Sequence, residues 1–216
     1  LSASIDVYQI DLNDRIVLSS QFSSAALTQL LQANGFGQIR AVTFESNSVD
    51  TTTRGIDVTL RYVSAFLGGN LTTTLAANLT DTDFDRIAGT PEALADLGIA
   101  TELFDRRSQV RLAQGIPQSK VTLDFSWNSG PWQINLTNTR YGEVSQADLL
   151  NQTRAQVDAL IEGFDVELVP LANGNFDIIE TFGAKIITDI SVAYDLSQSL
   201  TLRVGVDNVF DILPDE

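Results

Sequence analysis

Polar and apolar residues alternate along most of this chain. In KVTLDFSWNSGPWQINLTNTRYG, Val121, Leu123, Phe125 and Trp127 share one parity, and Lys120, Thr122, Asp124, Ser126 and Asn128 the other. After a turn at Asn128-Ser129-Gly130-Pro131, Trp132, Ile134 and Leu136 resume the apolar face opposite Gln133, Asn135 and Thr137. Period-2 alternation on both sides of a Gly-Pro turn predicts a β-hairpin. RGIDVTLRYVSAF, turning through Leu67-Gly68-Gly69-Asn70 into LTTTLAANLTDT, predicts a second. IITDISVAYDL, turning at Asp195 to Ser199 into LTLRVGVDNVF, predicts a third.

The N-terminal stretch SIDVYQIDLNDRIVLSS is less regular, with Ile5 and Val7 in one parity and Tyr8, Ile10 and Leu12 in the other. A β-bulge near Val7 and Tyr8 would reconcile them, because one inserted residue flips the facing of everything beyond it. Seven strands result, at about 3–19, 39–65, 70–82, 118–128, 132–143, 185–195 and 199–209.

The hairpin turns are short, and the connections at the opposite ends, 21–37, 82–117 and 143–184, are long. Connections of that length in a compact domain usually carry function. Two hold helix-like patches, ALTQLLQ and ADLLNQTRAQVDALIEGF. The second has a candidate N-cap at Ser145 or Asp148 and Leu149, Val157, Leu160 and Ile161 on one side.

Composition narrows the function classes. With no Cys there is no disulfide or thiolate site, and with no His there is neither the commonest general base nor the commonest metal ligand. A net charge of -15 argues against nucleic acid as a partner. No apolar run reaches the roughly 20 residues of a membrane helix, but a barrel strand needs only about 10 residues with every second one free to be polar. Strands of more than ten residues with long polar faces favour an antiparallel transmembrane β-barrel segment of about seven strands, with short periplasmic turns and long extracellular loops. Phe66, Trp127, Trp132 and Tyr194 cluster near the short-turn ends, where an aromatic belt would meet the membrane interface. The alternative for Trp127 and Trp132 is a simple cross-strand pair.

The stretches DVYQIDLNDRIVLSSQF, NSVDTTTRGIDVTLRY, NTRYGEV, FGAKIITDISVAYDLS and LRVGVDNVFDILPDE, in that order, together resemble the C-terminal part of the barrel of TonB-dependent outer-membrane receptors. In that family an Asn-Leu-Phe-Asp sequence followed by Pro-Asp ends the penultimate strand. Asn208-Val209-Phe210-Asp211 and Pro214-Asp215 stand in that place. The resemblance implies that residues 1–216 are the last third of a barrel of about 22 strands, without the plug domain and final strand. It further implies a Gram-negative outer-membrane location and partnership with TonB and the inner-membrane energising complex through the plug. Outer-membrane lipid would surround the barrel. Active import of a scarce nutrient would follow, with ferric siderophores the commonest cargo and cobalamin, haem or carbohydrate in other lineages. No enzyme activity and no cofactor is implied.

Arg86, Arg106, Arg107 and Arg154 fall in the long connections and are candidates for an anionic ferric chelate, or simply for solvent and anionic lipopolysaccharide. Asp81, Asp83 and Asp85 have a spacing able to bind Ca²⁺ but lack the Gly and distal Glu of an EF-hand, so no metal site is expected. Asp165 and Glu167 are a weak carboxylate pair for glycosidase chemistry. Two rival readings are a passive porin-type barrel and a soluble all-β binding or adhesion module.

Overall fold

The strands pair in the order that the alternation suggests, and the long connections fold against one another. The computed structural model describes residues 1–99, 102–161 and 166–215. Chain order runs β1 (Ser2–Leu18), α1 (Ala25–Ala33), β2 (Glu45–Phe66), β3 (Gly69–Ile87), α2 (Glu92–Ala95), α3 (Arg106–Ala113) and β4 (Ser119–Ser129). It continues with β5 (Trp132–Tyr141), β6 (Val144–Gln152), α4 (Arg154–Leu160), β7 (Val166–Pro170), β8 (Phe176–Phe182), β9 (Lys185–Ser197) and β10 (Leu200–Val206). Seven strands form one antiparallel sheet, β1-β2-β3-β4-β5-β9-β10, which does not close on itself. Its members are the seven expected strands, although β2 starts at Glu45 and β3 runs on to Ile87. Among the described residues no helix is long and apolar enough to cross a membrane.

Turn chemistry fixes the hairpins. Leu67 and Gly68 both have positive φ, +44° and +74°, as a type I′ turn requires between the paired Phe66 and Gly69. Gly130 at φ +55° is the first central residue between Ser129 and Trp132, the position where a II′ turn wants Gly.

The register shows which residues share a face, because directly paired residues project from the same side. One row joins Val7, Ile56, Leu79 and Ser119; another joins Tyr62, Thr73, Phe125, Leu136 and Ile190. Between them lie Ile5, Val58, Ala77, Val121, Leu60, Leu75 and Leu123. This apolar face is open to solvent: Ile5 is 66%, Val7 76% and Val204 64% exposed. The opposite face carries Asp57, Asn78 and Lys120, then Arg61, Thr74, Asp124 and Thr137. Its side chains bond laterally, Asn78 Nδ2 to Asp57 Oδ1 at 2.6 Å and Thr137 Oγ1 to Asp124 Oδ2 at 2.9 Å. A wide exposed apolar face backed by a bonded polar one inverts the arrangement of a soluble sheet.

The parity switch in β1 has a different origin from the expected bulge. Pairing runs without interruption from Ser2 to Leu12, and the irregularity comes later, around Arg15 and next to Asp14 at φ +53°. The outer row simply changes chemistry, from Val7, Ile56 and Leu79 to Gln9, Arg54 and Asp81. On β5 and β9 the same change comes at Asn138 and Thr188, which pair and hydrogen-bond at 2.9 Å just beyond Leu136 and Ile190. The frontier therefore crosses the strands obliquely, as it must where strands tilt against a membrane plane.

A buried apolar core lies in the long connections. Phe22, Leu27, Ile99 and Leu103 form a core joined by Leu31, Val42, Phe44, Leu94 and Leu97, with the Phe22 and Phe44 rings stacked at 5.8 Å. In α1, Ser24 caps the first turn by accepting from the Leu27 N–H. The third connection differs from the expected single helix. Residues Val144–Gln152 are strand, part of a small sheet β6-β8-β7, and only Arg154–Leu160 is helical. The helix begins at Thr153, whose N–H is accepted by Gln156 Oε1 at 3.0 Å, so neither Ser145 nor Asp148 is its N-cap.

Candidate functional site: the capped outer end of the barrel wall

The long connections gather at one end of the sheet. The Phe104 ring meets Phe84, which shares the inner face of the wall with Thr51, at 6.0 Å. The end of α3 closes a small cavity of about 230 Å³ whose lining includes Thr53, Thr80, Thr82, Leu112 and Ile116. Loop 82–117 thus folds over the inner side of the wall. Helix α3 also touches the third connection: Arg107 donates from Nε to the Ala147 carbonyl at 3.3 Å, and the Gln114 carbonyl accepts from the Ser145 N–H at 2.9 Å. Two loops become one cap.

The rim of the cap is ionic. Arg86 donates from Nε and Nη2 to Asp50 at 2.6 and 2.9 Å, and from Nη2 to Asp14 at 2.8 Å; the Asp14 N–H also donates to Asp50 at 2.7 Å. Asp50 lies six residues beyond Ile56, roughly 20 Å past the apolar frontier along β2. The Arg86 guanidinium and then the Asp14 amide hold its carboxyl below the usual carboxylate value. Asp50 in turn raises the Arg86 guanidinium further above its already high value.

The four candidate arginines do not converge. Arg86 belongs to the end of β3 and spans Asp50 and Asp14. Arg107, on α3, reaches Asp148 at 3.4 Å, while Arg154 pairs with Asp158 one turn along α4 at 2.7 Å. Arg106, the first residue of α3, is exposed and has no carboxylate partner among the described residues. Asp83 binds Arg54 at 3.2 Å, Asp85 accepts from Thr52 at 2.7 Å and Asp81 from Gln118 at 3.3 Å. Among the described residues no group of three or more acidic side chains is arranged to hold a metal ion. Asp165 lies outside the described residues, and Glu167 is in β7.

At the other end, all four aromatics lie on the apolar face. Trp132 pairs with Tyr194, their rings edge-to-face at 4.6 Å, and Trp127 pairs with Ile134. Trp127 Nε1 donates to the Phe66 carbonyl at 2.8 Å, bringing its edge against the neighbouring hairpin. Trp127 and Trp132 are therefore not each other's cross-strand partners.

The C-terminal motif has its own geometry. Asn208, at φ +51°, donates from Nδ2 to the Ile212 carbonyl and accepts from the Ile212 N–H, both at 3.0 Å. Its N–H donates to Asp189 Oδ1 at 2.8 Å, and the Val209 N–H donates to the Thr188 carbonyl at 2.8 Å. Asp215 then accepts from the Gly183 N–H at 2.8 Å and pairs with Lys185. The Lys185 ammonium and the Gly183 amide lower the Asp215 carboxyl. Asn suits this position because its short amide tolerates the left-handed region and bonds the backbone locally.

An oblique apolar band on one face, a polar inner face, tight turns at one end and a folded cap at the other define the wall of an outer-membrane-type β-barrel. Residues 1–209 match the family model described as TonB dependent receptor-like, beta-barrel, and the chain belongs to that family. No curated protein matches it. Membership makes this an outer-membrane receptor and transporter barrel, of a family that works with TonB and moves ligands rather than transforming them.

Proposed function

We propose that residues 1–216 are the C-terminal portion of a receptor barrel whose plug domain lies elsewhere in the protein, and that it imports a ferric siderophore by TonB-dependent transport. The observation that carries this reading is the cap: the 82–117 loop folds over the inner face of the wall and holds the third connection through α3, at the end where cargo would arrive.

Within the cap, Arg106 is the candidate arginine left free for an anionic chelate, since carboxylates engage the other three. Phe66, Trp127, Trp132 and Tyr194 act as the aromatic belt at the periplasmic interface. The test is uptake of radiolabelled ferric siderophores by iron-starved cells with and without the gene. A siderophore whose uptake needs both this receptor and TonB supports the reading. Unchanged uptake of catecholate, hydroxamate and carboxylate siderophores alike would overturn it and turn the search to other cargo.

A further inference from the structure

A groove of about 930 Å³ crosses β1, β2 and β3 on the outer face. Its lining takes three consecutive residues from each strand, centred on Tyr8, Gly55 and Thr80. The flanking members of each triplet share the outer face, so the middle ones contribute floor and the flanking ones walls. One wall is the apolar row Val7, Ile56 and Leu79; the other is the polar row Gln9, Arg54 and Asp81. The groove thus follows the frontier where the apolar band ends.

At its β4–β5 end the groove meets Ser119, Gly142 and Arg140. Gly142 lets Ser119 come close, since an added Cβ would stand 2.5 Å from Ser119 Oγ. Arg140 is exposed, donates from Nη1 to Ser119 Oγ at 3.3 Å, and has no carboxylate partner among the described residues. Arg54, by contrast, is engaged by Asp83 and Gln9. Asp81 and Glu143 also border the groove.

We infer that this groove holds a phosphorylated membrane lipid, its chains along Val7, Ile56 and Leu79 and its phosphate on Arg140 and Ser119. This rests on the outer-membrane assignment of the apolar face and adds a specific lipid site to it. The neighbouring charges select for a phosphate carried by an amphiphile, because free phosphate would meet Asp81 and Glu143 without any apolar contact in return.

The test uses the receptor purified from outer membranes in a neutral maltoside detergent, with native mass spectrometry counting retained lipid. Dioleoyl phosphatidic acid should be held about tenfold more tightly than dioleoyl phosphatidylcholine. Arg140→Gln and Ser119→Asp should each abolish most of that preference, while Lys120→Gln, on the inner face of β4, should keep it. Millimolar inorganic phosphate should not compete. Equal retention of the two lipids, an unchanged preference in Arg140→Gln, or displacement by inorganic phosphate would overturn the inference. A receptor missing from the outer-membrane fraction would instead overturn the membrane assignment, and would be seen before any lipid is added.

Discussion

Gly69 sits where two tight hairpins press together, and Gly69→Ala should be among the more damaging small substitutions in the wall. A Cβ there would lie 2.3 Å from the Asn128 carbonyl oxygen and 2.6 Å from Ser129 Cβ, closer than real Cβ contacts come. Relief requires the β2–β3 and β4–β5 turns to separate by roughly 1 Å, judged against ordinary carbon contact distances. Two hydrogen bonds hold them together, Trp127 Nε1 to the Phe66 carbonyl at 2.8 Å and Ser129 Oγ to the Gly68 carbonyl at 3.1 Å. Overpacking costs about 1 to 3 kcal/mol and each of the two weakened bonds about 1 kcal/mol, so the expected loss is about 3 to 5 kcal/mol. Gly55→Ala is the control. Its Cβ would come within 2.2 Å of Tyr8, but of the ring tip of a flexible side chain that can swing away. That substitution should cost less than about 1 kcal/mol. The assay is urea unfolding of the receptor refolded into lipid vesicles, followed by the gel-mobility shift of the folded barrel. A Gly69→Ala receptor within about 0.5 kcal/mol of the parent, or a Gly55→Ala receptor less stable than Gly69→Ala, would refute the argument.

Three further outcomes follow from local geometry. Leu67 is 77% exposed at φ +44° in a type I′ turn, so Leu67→Asn should stabilise the barrel by about 0.5 to 1 kcal/mol in the same assay; a loss would show that Leu67 makes a contact that matters. Asn208→Ala removes both bonds to Ile212 and should cost about 1 to 3 kcal/mol, with Asn208→Gly less harmful because it keeps the left-handed backbone; equal losses would deny φ any part in the effect. The lowered carboxyl of Asp50 stabilises the folded rim above its unfolded value, and that contribution fades from about pH 4 downward until the folded group is protonated. Protection of the Asp14 amide from hydrogen exchange, taken relative to its intrinsic rate at each pH, should fall over that range in the parent and be weak at every pH in Asp50→Asn, and a flat protection profile in the parent would contradict the assignment.

The wall was legible because period-2 alternation survives wherever one face meets lipid and the other meets polar groups, so Val121 to Trp127 and Ile190 to Tyr194 point to strands without further help. The third connection was misread for a physical reason. Leu149, Val157, Leu160 and Ile161 fall at helical spacing, but Ala147 is buried in a sheet that α3 backs, and β6 needs that partner before it reads as a strand. One signal was present: Thr153 and Gln156 have the spacing of a capping box, which places the helix start eight residues after Ser145. The rim could not be seen in advance, since Arg86 lies 36 residues from Asp50 and 72 from Asp14, and only the register brings the three together.

The mixed parity of β1 shows how the same residues support a wrong cause and a right one. Ile5 and Val7 against Tyr8, Ile10 and Leu12 would be a bulge in a sheet buried along its whole length, because there the outer face never changes solvent. In a membrane wall the outer face does change solvent, and a strand that outruns the hydrocarbon turns polar outside whatever its inner face carries. Gln9 and Asp11 face out with Arg54 and Thr52, while Leu12 faces in beside Thr51, which is 1% exposed beneath the cap. An uninterrupted register with exchanged chemistry therefore marks the edge of the membrane on this wall, and it falls where the groove beside Arg140 begins.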